Sequence, residues 1–122
     1  MIDHIKLRVA DFTKSKAFYD QALGAIGMKL LPDSDDGYCA WSANDDPLFE
    51  IAKPNESNPV SHAVHFCFKV NDQKLVDAFY KAALAAGGKD NGAPGPRPHY
   101  SPTYYAAYVL DPDGNNVEAC FH

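Results

Sequence analysis

Cysteine is scarce in this chain: three residues among 122, Cys39, Cys67 and Cys120. Their odd number and wide spacing exclude a disulfide framework, and the absence of any CxxC pair excludes a zinc-finger arrangement. Positive charge is also in short supply. Eleven basic residues against sixteen acidic ones leave a net charge of −5, which excludes the basic surface that displaces counterions from nucleic acid and the polybasic patch that docks on anionic membranes. Apolar runs are short, and none approaches the roughly 18 residues of a membrane span. The chain opens directly on the alternating stretch Met1-Ile2-Asp3-His4-Ile5, with no basic-then-apolar leader pattern. The expectation is a cytoplasmic protein. Apolar residues are nonetheless 46% of the whole, enough for a sizeable core, and the length fits one domain.

What is present is an internal repeat. Sliding the chain against itself by half its length, 61 residues, puts His4 on His65, Val9 on Val70 and Asp11 on Asp72. The same offset puts Ala17-Phe18-Tyr19 on Ala78-Phe79-Tyr80, Ala22-Leu23 on Ala83-Leu84, and Gly27 on Gly88, without a gap. Two copies of one supersecondary unit explain this, with residues 1–53 as the first module and 61–122 as the second. The linker between them, Lys53 to Val60, holds two prolines and two asparagines.

Each copy opens with a strand. Ile5, Leu7 and Val9 alternate with His4, Lys6 and Arg8, as Phe66, Phe68 and Val70 alternate with His65, Cys67 and Lys69. A helix follows in each, the first starting near Asp11 or Thr13 and stopping near Gly24 to Gly27, the second running from about Asp72 to Gly87-Gly88. Phe18, Tyr19, Phe79 and Tyr80 stand at helical spacing and are expected in the core. Beyond the helices the period changes. Tyr38–Ala43 and Leu48–Ala52 read as strands in the first half, and Thr103–Leu110 and Asn115–Phe121 in the second, around the hairpin turn Asp111-Pro112-Asp113-Gly114. A further strand is expected around Lys29 to Leu31. Asn91 to Pro102, with four prolines and two glycines, reads as an ordered rim loop rather than an element. The fold class is therefore α+β.

Strand parity locates the chemistry. His4 and His65 occupy matching places on the polar faces of the opening strands. Glu50 alternates with Phe49 and Ile51, and Glu118 with Val117, Ala119 and Phe121. Each half thus places one imidazole and one carboxylate on the face away from its helix. A glutamate on a half-buried strand is costly unless it is paired, protonated or bound to a cation. Two His and two Glu suit a divalent ion, Zn²⁺, Ni²⁺, Co²⁺, Mn²⁺ or Fe²⁺, and two carboxylates neutralise it. Lys6, Arg8 and Lys69 share these polar faces and favour a small anionic ligand.

The segment His4-Ile-Lys-Leu-Arg-Val-Ala-Asp with Ala17-Phe18-Tyr19, and above all Leu110-Asp-Pro-Asp-Gly-Asn-Asn-Val-Glu118, resembles the vicinal oxygen chelate superfamily. That superfamily includes glyoxalase I, bleomycin-binding proteins and extradiol dioxygenases. The resemblance covers essentially the whole chain and implies two βαβββ modules forming a curved mixed sheet around a cleft with a metal at its base. It also implies a homodimer, often with one site built from two chains. Carried over residue by residue, glyoxalase I ligands fall on His4, Glu50, His65 and Glu118, with Glu118 or Glu50 as the base of enediolate chemistry. Its glutathione-binding arginine falls on Arg8. The corresponding asparagine place is Pro54, and the basic residue before the third ligand is replaced by Ser61. The loop Arg97-Pro98-His99-Tyr100 is unlike the glutathione-binding loop and implies a different ligand, which Arg97, His99, Tyr100 and Tyr104 are placed to hold.

The expected function is a metal-dependent lyase or isomerase of lactoylglutathione lyase type. The alternatives are a binding protein of the bleomycin-binding kind and an Fe²⁺ ring-cleaving dioxygenase.

Overall fold

A computed structural model describes residues 1–122. In chain order the elements are β1 (Ile5–Arg8), α1 (Phe12–Gly24), β2 (Lys29–Leu30), β3 (Tyr38–Ser42), β4 (Phe49–Ala52), β5 (His65–Lys69), α2 (Gln73–Ala85), β6 (Lys89–Pro96), β7 (Tyr105–Leu110) and β8 (Asn116–Phe121). Each half is a βαβββ unit. The sheets have the same order, β1-β4-β3-β2 and β5-β8-β7-β6, with the opening strand parallel to the closing one and the remaining pairs antiparallel. The repeat in the sequence is a repeat in the topology.

The helices start where the sequence provides a cap. Asp11 and Asp72 are extended in backbone, and their carboxylates accept from the Lys14 and Lys74 amides at 3.0 and 2.8 Å. The helices bury Phe18, Tyr19 and Leu23 on α1 and Val76, Phe79 and Ala83 on α2. One apolar cluster of 18 buried residues draws on both halves. Phe49 of β4 meets Phe66 and Phe68 of β5 at ring-centroid distances of 5.2 and 5.7 Å. Tyr80 is only half-buried, its hydroxyl donating to Asp90 at 3.0 Å.

The proline- and glycine-rich stretch corrects one expectation. Residues 89–96 form a full edge strand, paired with β7 through two register shifts around Gly92. An edge strand tolerates Pro94 and Pro96 because one row of its amides needs no partner, and the shifts absorb the extra residues. Only Arg97 to Tyr104 remains as the rim.

Gly88 is required by crowding. A Cβ there would lie 2.5 Å from Val109 Cγ1, 2.7 Å from Phe18 Cε2 and 2.8 Å from the Ala83 carbonyl. The Phe18 contact joins the second half to α1 of the first. Gly88→Ala is expected to cost about 1–3 kcal/mol through overpacking, read as a lower urea midpoint; a midpoint at the wild-type value would contradict this close approach.

The hairpin turn does more than reverse the chain. The Gly114 amide donates to the Asp111 carbonyl at 3.0 Å, with Gly114 at φ 85°. The Asp111 carboxylate, 4% exposed, accepts from Tyr19 Oη of α1, the Asp113 amide, and both the amide and Nδ2 of Asn115. Asn115 in turn accepts from the Val64 amide and donates to the Ser61 carbonyl at the end of the linker. The turn therefore fastens the linker and the first helix to the second sheet.

Candidate functional site

The closing strands carry the two buried carboxylates. Phe49 and Ile51 of β4, and Val117 and Ala119 of β8, belong to the core, so alternation turns Glu50 and Glu118 to the opposite faces. Both are nearly inaccessible, at 6% and 3% exposure. A buried carboxylate without compensation is costly, and each half compensates its own differently.

In the second half Glu118 Oε2 lies 2.9 Å from His65 Nε2, and Oε1 accepts from Tyr104 Oη at 2.6 Å. Burial, then the hydrogen bond to Glu118, pushes the Tyr104 phenol well above its ordinary range, so this hydroxyl stays a proton donor. Tyr108 lies nearby, its ring 6.3 Å from that of His65, and burial followed by the Glu118 charge raises its phenol too. His65, Tyr100, Ser101, Tyr104, Glu118 and His122 line a recess of about 430 Å³. Its wall is an aromatic run: His99 against Tyr100 at 4.2 Å, Tyr100 against Tyr104 at 5.1 Å, and Tyr104 stacked on His122 at 5.1 Å.

In the first half the register pairs Lys6 with Glu50 across β1 and β4. Lys6 Nζ stands 2.9 Å from Glu50 Oε2, which is buried and makes no hydrogen bond of good geometry; its compensation is the ammonium charge. Oε1 accepts from Tyr38 Oη at 3.1 Å, and burial followed by that bond raises the Tyr38 phenol. His4 is exposed, with Nδ1 on Asp3 at 2.8 Å.

The structure thus brings His65, Tyr100, Tyr104 and Glu118 together, with His99 at the rim. Within one chain it does not gather His4, Glu50, His65 and Glu118 into one group. The single set of three or more metal-ligand side chains that converges is Cys67, Glu118 and Cys120. Arg8 is turned to the linker, its guanidinium donating to the Lys53 carbonyl at 2.9 Å. Arg97 is fixed to its own loop by the Pro96 and Ala93 carbonyls and lies 5.4 Å over the Tyr108 ring. His62 precedes β5 and is exposed. Sequence reasoning missed His122, which continues the parity of Glu118 and Cys120. It also missed the pairing of Lys6 with Glu50, whose shared face was visible but whose register was not.

Against this geometry, the family model for the Glyoxalase/Bleomycin resistance protein/Dioxygenase superfamily matches residues 1–119. The chain belongs to this superfamily. Among solved structures, a glyoxalase/bleomycin resistance protein from Albidiferax ferrireducens T118 is 29% identical, with a TM-score of 0.82 over 98% of this chain and 97% of that one. A glyoxalase-related enzyme from Fulvimarina pelagi is 18% identical, with a TM-score of 0.76 over 100% and 88% of the two chains. A lactoylglutathione lyase from Agrobacterium tumefaciens is 20% identical, with a TM-score of 0.71 over 99% and 92%. At that identity the last two show the fold alone. No curated protein matches the sequence. No helix of this superfamily member is long and apolar enough to cross a membrane.

The donor sets can be tested against the divalent ion such a fold implies. Two ligands about 2.1 Å from one ion at right angles stand about 3 Å apart, and His65 Nε2 and Glu118 Oε2 are 2.9 Å apart. The second half therefore fits as half of a site. In the first half the carboxylate is equally buried, but an ammonium already stands where a cation would bind.

Proposed function

We propose that this superfamily member is a small lyase or isomerase acting on an oxygenated small molecule, with Glu118 as the base that moves a proton between adjacent carbons. The observation carrying this reading is a carboxylate 3% exposed, yet facing a recess and held by one phenol and one imidazole. Such a group is oriented and shielded from bulk water, as proton abstraction beside a carbonyl requires. Tyr104 positions Oε1 and leaves Oε2 to the His65 side, where the proton is taken and returned. The aromatic wall of Tyr100, Tyr104 and His122 suits the apolar body of a substrate.

His65 and Glu118 of one chain, with His4 and Glu50 of a second copy, would hold a divalent ion in a homodimer, and Glu118 would have to leave that ion to act as the base. A bound ion supplies Lewis-acid stabilisation of negative charge on two vicinal oxygens. The dimer reading is supported by the separation of the two half-sites within one chain. Glu50 would exchange its Lys6 partner for the ion.

Mn²⁺ at about 100 times its Kd should stabilise the protein by about 2.7 kcal/mol, seen as a rise in Tm that chelator reverses. Lys6→Met should tighten Mn²⁺ binding, because the competing ammonium is gone. A second reading, a ligand-binding protein without chemistry, is favoured by the same Lys6–Glu50 pair, which neutralises the first half-site internally. Melting insensitive to Mn²⁺ and chelator, in both wild type and Lys6→Met, would select that reading.

A further inference from the structure

The cysteines of the second sheet have no part in the chemistry above, yet they stand beside it. Register pairs Cys67 of β5 with Glu118 of β8, and Lys69 with Cys120. Cys67 and Cys120 are therefore diagonal neighbours on the face that carries Glu118. One ligand atom from each of Cys67, Glu118 and Cys120 lies within 4.8 Å of the others. Cys120 is 4% exposed and Glu118 3%, whereas Cys67 is exposed and borders an open groove with Phe68, Lys69, Phe121 and His122. Two donors are thus buried, and the third opens to solvent.

From this geometry we infer that Cys67, Cys120 and Glu118 form a one-chain site for a thiophilic divalent cation, of the Zn²⁺ or Cd²⁺ class. Metal–sulfur bonds of about 2.3 Å at a tetrahedral angle put two sulfurs about 3.8 Å apart. The three donor atoms already lie within 4.8 Å of one another, about 1 Å beyond that spacing at most. Sulfur donors select soft ions over Mn²⁺ or Mg²⁺. Binding breaks two S–H bonds, forms two metal–sulfur bonds and releases two protons to solvent. Two thiolates and one carboxylate leave a fourth position open, as in zinc sites that bind a ligand or water. This site needs neither a second copy of the chain nor Glu50, and it goes beyond the two-chain reading.

The test is titration of the full chain with Cd²⁺ under a non-thiol reductant, reading the ultraviolet thiolate-to-cadmium charge-transfer band and the protons released. The wild type should develop the band to saturation at one Cd²⁺ per chain. Cys67→Ser and Cys120→Ser should each lose most of it while keeping the wild-type circular dichroism. Cys39→Ser should keep it, since Cys39 lies buried in the core around Phe18 and Trp41. Absence of a band in the wild type, or a band that survives both Cys67→Ser and Cys120→Ser, overturns the proposal. Because the four-residue site contains no sulfur, Mn²⁺ binding without a Cd²⁺ band would sink this inference alone. A Cd²⁺ band without Mn²⁺ binding would sink the two-chain site alone.

Discussion

Glu118→Gln should lower exchange of a substrate carbon-bound proton with solvent deuterium by about 10²–10⁴-fold, the usual contribution of a positioned general base. The readout is NMR of small α-hydroxycarbonyl compounds incubated with the protein in D₂O. The substitution is nearly isosteric. The Gln carbonyl still accepts from Tyr104, whose hydroxyl sits 2.6 Å from Oε1, so the recess keeps its shape. What is lost is the oxygen beside His65 that takes the proton. Gln keeps an acceptor for Tyr104, and the His65 side chain is 54% exposed and can turn to solvent, so the circular dichroism of the variant should match wild type. A loss of exchange with an intact fold assigns the base. Wild-type exchange in Glu118→Gln would remove the proposed mechanism and leave the binding reading.

Asp111→Ala should destabilise the fold by about 3–5 kcal/mol, a loss of the size seen when a buried charge network is broken from one side. The carboxylate accepts from Tyr19 Oη at 2.5 Å, the Asp113 amide at 2.9 Å, the Asn115 amide at 2.8 Å and Asn115 Nδ2 at 2.9 Å. Tyr19 and Asn115 are fully buried. Alanine offers these donors no acceptor, and each donor left orphaned in the buried junction costs about 1–3 kcal/mol. Tyr19→Phe should cost only about 1 kcal/mol, because Asp111 keeps its other donors.

The pair also predicts a pH dependence. Burial, then the Asp111 charge, raises the Tyr19 phenol well above its ordinary value of 10.0. The folded chain therefore holds that proton more tightly than the unfolded chain. This contribution is fully present below pH 10 and declines as the pH rises above it. Tyr19→Phe should flatten the alkaline limb of the stability curve. An Asp111→Ala urea midpoint within error of wild type would contradict the role given to the turn.

How far the sequence could be read differs from residue to residue. The opening strands and helices of both halves were legible because period-two and period-3.6 patterns recur at one offset with their Asp caps. The parity of Glu50 and Glu118 was legible for the same reason, since alternation against Phe49, Ile51, Val117 and Ala119 needs no tertiary information. β6 was hidden by Pro94 and Pro96, which are tolerated only because it became an edge strand. The Asp-Pro-Asp-Gly turn was legible as a turn but not as a clasp. Tyr19 at helical spacing reads as an apolar core residue, and only the packing of α1 beside the β7–β8 turn shows where its hydroxyl goes. Lys6 shared a face with Glu50 in any reading, but the parallel register that sets its ammonium on Oε2 is a property of the folded sheet. Convergence of His4 and Glu50 with His65 and Glu118 was expected from matched positions in the repeat. Within one chain, equivalent positions in two modules lie on two separate sheets, each pairing its own glutamate.

Mixing two binding-deficient variants asks whether one ion is shared between two copies of the chain. Glu50→Gln and Glu118→Gln should each lose tight Mn²⁺ binding, measured by loss of the free-ion EPR signal. Unfolding and refolding them together in equal amounts makes half the dimers mixed, and each mixed dimer has one intact composite site of two. The mixture should therefore recover about a quarter of the wild-type Mn²⁺ stoichiometry. A mixture that binds no more Mn²⁺ than either variant alone, with both folded, would contradict the shared site.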